Sequence, residues 1–453
     1  MRNILEDLYF GKITPNEQDI TPGSPLQQAM DQVEKYEEKL TSLLEGEEKT
    51  MLLRLLNAEN EIGSTLALEN FILGFRLGMR VAIILLSLAY FFALFMESRQ
   101  IKAARRQLIH VVHVNGTRGK STTCRLIDAG LRAGGLRVFC KTTGTDPMTI
   151  DVHNAEQPII RRGKANIKEQ IGILKRAAGQ GAQVLVVECM AIQPELQYAA
   201  QHRILQADVG VITNVRRDHT DVMGQTLPEI CDALCNTVPR SGVLFTAEDG
   251  RQAEQMAAAA EKLGSEFVSV RPRGDEPEFD FAENIALALA VCQRLGVDRE
   301  TALAGMFHYK RDPYALTIYR LGESMWINGL SINDLQSTCM VWRQMAEKYR
   351  LQDRRLILVV NNRADRGSRT QDMLQVCWEL KPAEVWLLGA SQGYMRRGLA
   401  RRLPETQVAW FQHAADLDFS RLDIGCAVFA VGNIAGEGRA LMARVKEEGV
   451  PVV

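Results

Sequence analysis

Residues 111–122 constrain the fold of this chain more than any other stretch. They run Val-Val-His-Val-Asn-Gly-Thr-Arg-Gly-Lys-Ser-Thr. The apolar, β-branched part predicts a buried parallel strand, and the Gly-rich turn with Lys-Ser opens a helical pattern. Strand, Gly-rich loop and helix in this order predict a phosphate-binding loop (P-loop). Val114 stands where the full G-x-x-x-x-G-K-S/T pattern has its first glycine, so an ordinary strand-to-helix turn with a surface lysine is the alternative.

The loop supplies candidates for binding ATP and a divalent cation, Mg²⁺ or Mn²⁺. Its glycines let backbone N–H groups point into one concavity, where they can surround phosphate oxygens. Lys120 adds a mobile positive charge, and Ser121 adds a hydroxyl ligand for the cation. The candidate nucleotide-binding residues of the loop are Asn115, Gly116, Thr117, Arg118, Gly119, Lys120, Ser121 and Thr122.

Beyond the loop, apolar strands alternate with helical segments. One predicted strand ends in Glu188, and the strand at 209–215 opens into Asp218 and His219. Continuous apolar strands separated by helices predict a parallel sheet covered on both faces, with its ligand site at the carboxyl ends of the strands. The P-loop, Glu188 and His219 are therefore expected at one edge. The fold class is α/β, with a P-loop parallel-sheet ATPase domain at 107–310 and a smaller C-terminal α/β domain at 311–453.

Composition excludes some classes of protein. The 453 residues carry a formal net charge of −1, which is too balanced to suggest a nucleic-acid binder. The nine cysteines form no C-x-x-C pair, which is typical of reduced thiols in the cytosol.

The N-terminal part of the chain has a different character. Residues 1–75 predict an acidic helical hairpin of unknown role, and residues 81–96 contain no charged residue. We expect a single membrane anchor at 76–106, although a buried core helix is the alternative. Basic residues are in excess on its C-terminal side, at Arg99, Lys102, Arg105 and Arg106. This excess places the catalytic domains in the cytoplasm and leaves the side of the hairpin open.

The motifs, taken in order, resemble those of the ATP-dependent ligase subunit of poly-γ-glutamate synthase (the CapB/PgsB family), a relative of the muramyl-peptide ligases and folylpolyglutamate synthetase. The matching segments are 115–122, 141–145, 188–191, 214–224 and 361–366. The resemblance runs from about residue 81 to near the C-terminus. It leaves the first 75 residues uncovered.

The resemblance implies catalytic and metal-binding roles for four residues. Lys120 would contact the ATP phosphates, and Ser121, Glu188 and His219 would be metal ligands. A strand-end carboxylate paired with an arginine is the alternative for Glu188, and a turn-filling role is the alternative for His219. The muramyl ligases also use a carbamylated lysine to support a second metal. No lysine lies between Glu188 and His219, so that support is absent or replaced.

The resemblance also implies nucleotide contacts outside the loop. Asn284, at the start of an Ala-rich helix, is similar to the residue that holds the adenine, although an N-cap role is the alternative. Asp365 and Arg366 are expected to close over the nucleotide phosphates, with a surface turn as the alternative.

As a whole, the resemblance implies an ATP-dependent amide ligase. It would activate the γ-carboxylate of a glutamate chain as an acyl phosphate and add glutamate, making poly-γ-glutamate for a capsule or for secretion. Its partners would be glutamate, the poly-γ-glutamate chain and small membrane subunits of the synthase at the cell membrane. The alternatives are a membrane-tethered P-loop ATPase or kinase that regulates polymer export, and a docking subunit whose ATPase runs only with partners.

Overall fold

The computed structural model of the chain describes residues 21–144, 146–161, 163, 165–277, 280–312, 315–332, 334–364, 367–422 and 425–452. The chain divides into two compact units, Met1–Ser98 and Arg99–Val453. The second unit contains both sheets described below.

Within residues 21–107 the structure describes two helices, α1 (Pro25–Leu43) and α2 (Gly46–Gln107). Helix α2 is 62 residues long, where the sequence predicted a second hairpin helix and a separate membrane helix. No proline interrupts residues 46–107, and a glycine inside a helix costs only about 1 kcal/mol, so one helix continues through both segments. By length and composition α2 could cross a membrane, and its most apolar stretch is not buried inside the protein.

The first sheet contains, within the described residues, eight strands in the order β4-β3-β2-β5-β1-β6-β7-β8. Strands β3 and β4 pair antiparallel at one edge, and the other pairings are parallel. The predicted parallel sheet is therefore confirmed. The strands are β1 (His110–Asn115), β2 (Val138–Thr142), β3 (Met148–Ile150), β4 (Glu156–Pro158), β5 (Val184–Glu188), β6 (Val209–Ile212), β7 (Val243–Thr246) and β8 (Glu266–Ser269).

Helices cover both faces of this sheet. On one face, Leu126 and Ile285 pack with Val112 and Val114 of β1; on the other, Leu174 packs with Val111. Because β1 is buried on both faces, its valines face both layers of helices, and His113 between them is buried as well. The helices are α3 (Lys120–Ala133), α4 (Glu169–Gly179), α5 (Pro194–Ala199), which continues as a π-helical turn (Ala200–Leu205), α6 (Leu227–Cys235), α7 (Gly250–Lys262), α8 (Ala282–Arg294) and α9 (Arg299–Met306).

The register of the central strands positions the site. Val114 of β1 lies opposite Glu188 of β5, and Asn115 lies opposite Ile212 of β6. The three strands therefore end together, and the loops that follow them meet at one edge of the sheet.

The second sheet has the order β13-β12-β11-β14-β10-β9-β15 within the described residues. Strands β9 and β15 are antiparallel to their neighbours at one edge, and the remaining pairings are parallel. Apolar clusters lie on both faces. The elements are β9 (Thr317–Leu321), β10 (Ser324–Gly329), α10 (Leu335–Lys348), β11 (Leu356–Asn362), α11 (Gly367–Leu380), β12 (Glu384–Gly389), α12 (Gln392–Arg402), β13 (Gln407–Trp410), β14 (Ala427–Gly432), α13 (Glu437–Glu448) and β15 (Val450–Pro451).

Candidate active site

The backbone of the P-loop requires glycine at two positions. Gly116 has φ of 125° and Gly119 has φ of 78°. A Cβ at Gly116 would lie 2.1 Å from Thr213 Oγ1, and one at Gly119 would lie 2.6 Å from Asn284 Oδ1. The loop is therefore packed between the end of β6 and the start of α8 without room for a side chain at either glycine.

Asn214, just after β6, holds the loop in place. Thr117 N donates to Asn214 O at 3.0 Å, and Arg118 N donates to Asn214 Oδ1 at 3.0 Å. Asn214 Nδ2 donates in turn to Arg118 O at 3.1 Å. Because two loop amides are engaged in this way, the N–H groups best placed to face a phosphate are those of the first turn of α3.

Lys120 begins α3 and folds back over the loop. Its Nζ donates to Gly116 O at 2.7 Å and approaches Thr117 O at 3.4 Å. The ammonium group therefore lies on the loop, where a phosphate oxygen can replace a carbonyl as its acceptor.

Ser121 and Glu188 meet directly. Ser121 Oγ donates to Glu188 Oε2 at 2.8 Å, and the same oxygen accepts a hydrogen bond from Thr143 N at 2.6 Å. Within the described residues these are the polar partners of the Glu188 carboxylate, in place of the arginine considered as an alternative. Glu188 is only 3% exposed. A hydroxyl beside a buried carboxylate provides two oxygen ligands of the kind that Mg²⁺ or Mn²⁺ prefers.

A buried ion pair lies on the side of β2, the strand next to the one that carries Glu188. Lys141, at the end of β2, has a fully buried side chain whose Nζ is 3.1 Å from Glu169 Oε1. Arg161 pairs with the same carboxylate at 2.7 Å. Burial lowers the pKa of Lys141, while Glu169 and then Glu188 oppose the shift. Local sequence patterns do not predict this pair, because its two members are brought together by the packing of α4 against the sheet.

His219 belongs to a neighbouring group around Asp218. Its Nε2 is 3.9 Å from Asp218 Oδ2, and its backbone has φ of 47°. Burial alone would raise the pKa of Asp218, but the charges of Arg118, His219 and Arg369 more than offset it and hold that pKa below its ordinary value. The structure thus joins Ser121 to Glu188 and places His219 with Asp218. Among the described residues, no group of three or more His, Cys, Asp and Glu side chains forms a metal cluster.

The C-terminal α/β domain reaches the P-loop domain through the charged side chains of Asp334 and Arg369, which were not among the predicted site residues. Arg118 Nε donates to Asp334 Oδ2 at 2.9 Å, and Asp334 also caps α10 by accepting from Ser337 N at 2.8 Å. From the same domain, Arg369 lies 3.5 Å from Asp218. Burial and then the Asp334 charge raise the pKa of Asp372 to about 6. The P-loop therefore lies against a charged face of the second domain.

Asn284 is not an N-cap. Helix α8 begins at Ala282 with Phe281 as its N-cap, so Asn284 lies inside the first turn. Asn284 Oδ1 accepts from Thr123 Oγ1 at 3.4 Å, and its Nδ2 donates to Asp280 Oδ1 at 3.1 Å. This position beside Gly119 is compatible with the predicted adenine contact, which stays a prediction.

The remaining predicted residues are dispersed. Asn115 Nδ2 donates to Gln197 Oε1 at 2.8 Å, so its side chain fixes the end of β1 against α5. Thr122 lies half-buried in the first turn of α3. Asp365 and Arg366 lie outside the described residues. Asn214 and Glu188 lie at the carboxyl ends of two central strands, so the rule that located Glu188 applies to Asn214 as well.

Comparison with known families divides the chain into three matched segments. Residues 114–294 match the Mur ligase middle domain. Residues 315–448 match the C-terminal domain of the poly-γ-glutamate synthase CapB. Residues 1–83 match a family of unknown function.

Two relatives cover most of the chain. The capsule biosynthesis protein CapB of Bacillus anthracis is 34% identical over 357 residues, which are 75% of this chain and 77% of the relative. The PGA synthase CapB of Bacillus subtilis is 33% identical over 357 residues, 74% of this chain and 90% of the relative.

Solved structures share the fold. Escherichia coli FolC in complex with DHPP and ADP has a TM-score of 0.58 at 15% identity, covering 78% of this chain and 92% of that one. A bifunctional folylpolyglutamate synthase/dihydrofolate synthase with Mn, AMPPNP and L-glutamate bound has a TM-score of 0.57 at 16% identity, covering 77% and 93%. At this level of identity the likeness establishes the α/β ligase fold alone.

Proposed function

The chain belongs to the CapB family of poly-γ-glutamate synthases, and from this membership we infer the reaction and the residues that perform it. The protein is an ATP-dependent amide ligase that makes poly-γ-glutamate, and it uses ATP with a divalent cation. Its substrates besides ATP are glutamate and the growing chain.

The chemistry follows from the need to activate a carboxylate. In the first step, an oxygen of the γ-carboxylate attacks the γ-phosphorus of ATP, the bond to ADP breaks, and an acyl phosphate forms. In the second step, the amine of glutamate attacks the acyl carbon, phosphate leaves with the electrons of the C–O bond, and the nitrogen gives up a proton. No covalent bond to the protein is needed, so the protein mainly positions groups and neutralises charge.

The residues of the P-loop perform that positioning. Lys120 exchanges the carbonyl of Gly116, 2.7 Å away, for phosphate oxygens, and the N–H groups of the first turn of α3 bind the same oxygens. Ser121 and Glu188 would hold the cation, which would neutralise charge on the transferring phosphoryl group. The hydrogen bond between Ser121 and the buried Glu188 is the observation that carries this assignment. His219 is proposed as a further ligand, and Asn284 as the residue that holds the adenine.

The exposed apolar stretch of helix α2 supports a location of this protein at the cell membrane. Its side chains from Val81 to Met96 are exposed, and Arg99 and Arg105 follow them on the side of the P-loop domain. We place the α/β domains in the cytoplasm, where ATP is available, with small membrane subunits of the synthase as partners. The role of residues 1–75 is not assigned.

The test measures ADP formation and polymer synthesis by membranes that contain the full chain with its partner subunits, with Mg²⁺ and with or without labelled glutamate. We expect label to enter a γ-linked polymer in step with ADP. Lys120→Ala should abolish both, whereas Lys262→Ala, which changes an exposed lysine at the end of α7, should alter neither. ADP formation that ignores glutamate and yields no polymer would favour the regulatory ATPase instead.

A further inference from the structure

The segment between the two α/β domains, residues 307–316, brings a carboxylate to the Ser121–Glu188 pair. Asp312 Oδ2 lies 2.7 Å from the point that a Cβ of Gly144 would occupy, and Ser121 Oγ lies 3.0 Å from the same point. Ser121 Oγ is in turn 2.8 Å from Glu188 Oε2. Three oxygen atoms from three separate segments therefore converge beside the loop that follows β2.

Gly144 keeps the space between these oxygens open. Unlike Gly116 and Gly119, Gly144 has φ outside the left-handed region, so its backbone would accept an alanine without strain. A methyl group at this position would press on the side-chain oxygens of Asp312 and Ser121, and Asp312 would have to move away. Glycine at 144 thus leaves both oxygen atoms in their present positions.

A backbone hydrogen bond and partial burial constrain Asp312. Asp312 is half-buried, and its carbonyl oxygen accepts a hydrogen bond from Ala315 N at 2.9 Å. Two carboxylates therefore lie beside Ser121: that of Glu188 accepts a hydrogen bond from Ser121 Oγ, and that of Asp312 approaches the same Gly144 Cβ position as Ser121 Oγ. A divalent cation bound beside Ser121 would be attracted by both negative charges.

We propose that Asp312 is a third protein ligand of the active-site divalent cation, bound directly or through one cation-bound water, together with Ser121 and Glu188. The inference rests on the proposed cation site and extends it into the interdomain linker. Mg²⁺ is commonly held by one or two carboxylates together with phosphates and waters, and Glu188 with Asp312 supplies two. Because Asp312 lies in the linker, cation binding also fixes the connection between the two domains.

The test is a binding measurement on the purified full chain in detergent, with Mn²⁺ as the probe. Free Mn²⁺ is followed by electron paramagnetic resonance in the presence of AMPPNP. Asp312→Asn keeps the size of the side chain and removes its charge. We expect it to raise the dissociation constant of Mn²⁺ by about ten- to a hundredfold. Cation-free AMPPNP binding should not weaken, because the substitution removes a negative charge beside the anionic phosphates. Asp353→Asn, which removes an exposed charge in the loop before β11, is the matched control and should have no effect.

A second variant makes the result independent of how Asp312→Asn folds. Gly144→Ala places a methyl group between Asp312 and Ser121 and should weaken Mn²⁺ binding as well. Gly172→Ala, in α4 with open space around it, should not. Wild-type affinity for Mn²⁺ in folded Asp312→Asn, or in Gly144→Ala if Asp312→Asn does not fold, would overturn the proposal. Since Mn²⁺ binding requires no glutamate, this outcome is separate from failure of the ligase assay.

Discussion

Gly116→Ala tests whether the P-loop depends on its close approach to β6. The added Cβ would lie 2.1 Å from Thr213 Oγ1 and 2.9 Å from Thr213 N, so either Thr213 or the loop must move. The positive φ of 125° adds a backbone cost of about 1–2 kcal/mol. Displacing Thr213 breaks its 2.6 Å hydrogen bond to Arg118 O, worth about 1 kcal/mol. The expected loss of stability is therefore about 2–3 kcal/mol.

Gly135→Ala is the matched control. Gly135 also has a positive φ, 81°, but nothing lies within 4 Å of its Cβ position. Its alanine variant should carry the backbone cost of about 1–2 kcal/mol alone. Thermal unfolding of both variants gives the stability difference, and glutamate-dependent ADP formation gives the effect on the site.

The two variants should differ most in activity. A displacement of about 1 Å in a positioning loop costs about a hundredfold in rate, so Gly116→Ala should lose activity on that scale while Gly135→Ala keeps it. Equal activity and equal stability of the two variants would refute the idea that contact with Thr213 shapes the phosphate site.

Two further predictions concern the nucleotide and the charged face of the C-terminal domain. Asn284→Ala should weaken the binding of ATP but not that of inorganic tripolyphosphate, because only ATP carries the adenine; equal losses in competition binding would count against the adenine contact. Asp372→Asn should be more stable than the wild type above pH 6, because the raised pKa of about 6 means that the folded protein resists ionising Asp372. In thermal unfolding this advantage should shrink as the pH falls from 6 towards the ordinary aspartate pKa of about 4, and an advantage independent of pH would contradict the assignment.

The P-loop and the strand-end glutamate were accessible from the sequence because their signals are local. The apolar run of β1 and its Gly-rich turn identify the strand, the loop and the start of α3. Glu188 follows from the rule that parallel strands end at one edge, and the pairing of Val114 with Glu188 confirms it. The sequence also showed the apolar stretch of α2. It did not show that this stretch and the helical segment predicted before it form a single helix.

The class of the fold and the family could be predicted from local sequence, and so could the position of the P-loop, since apolar periodicity and turn chemistry are properties of neighbouring residues. Which distant turns meet the P-loop depends on tertiary packing. Arg118 reaches Asp334 across 216 positions, and Asp312 comes to Ser121 only through the course of the linker. Nothing in the local pattern marks Asp312 or Asp334, because their position depends on how the two sheets and their covering helices pack together.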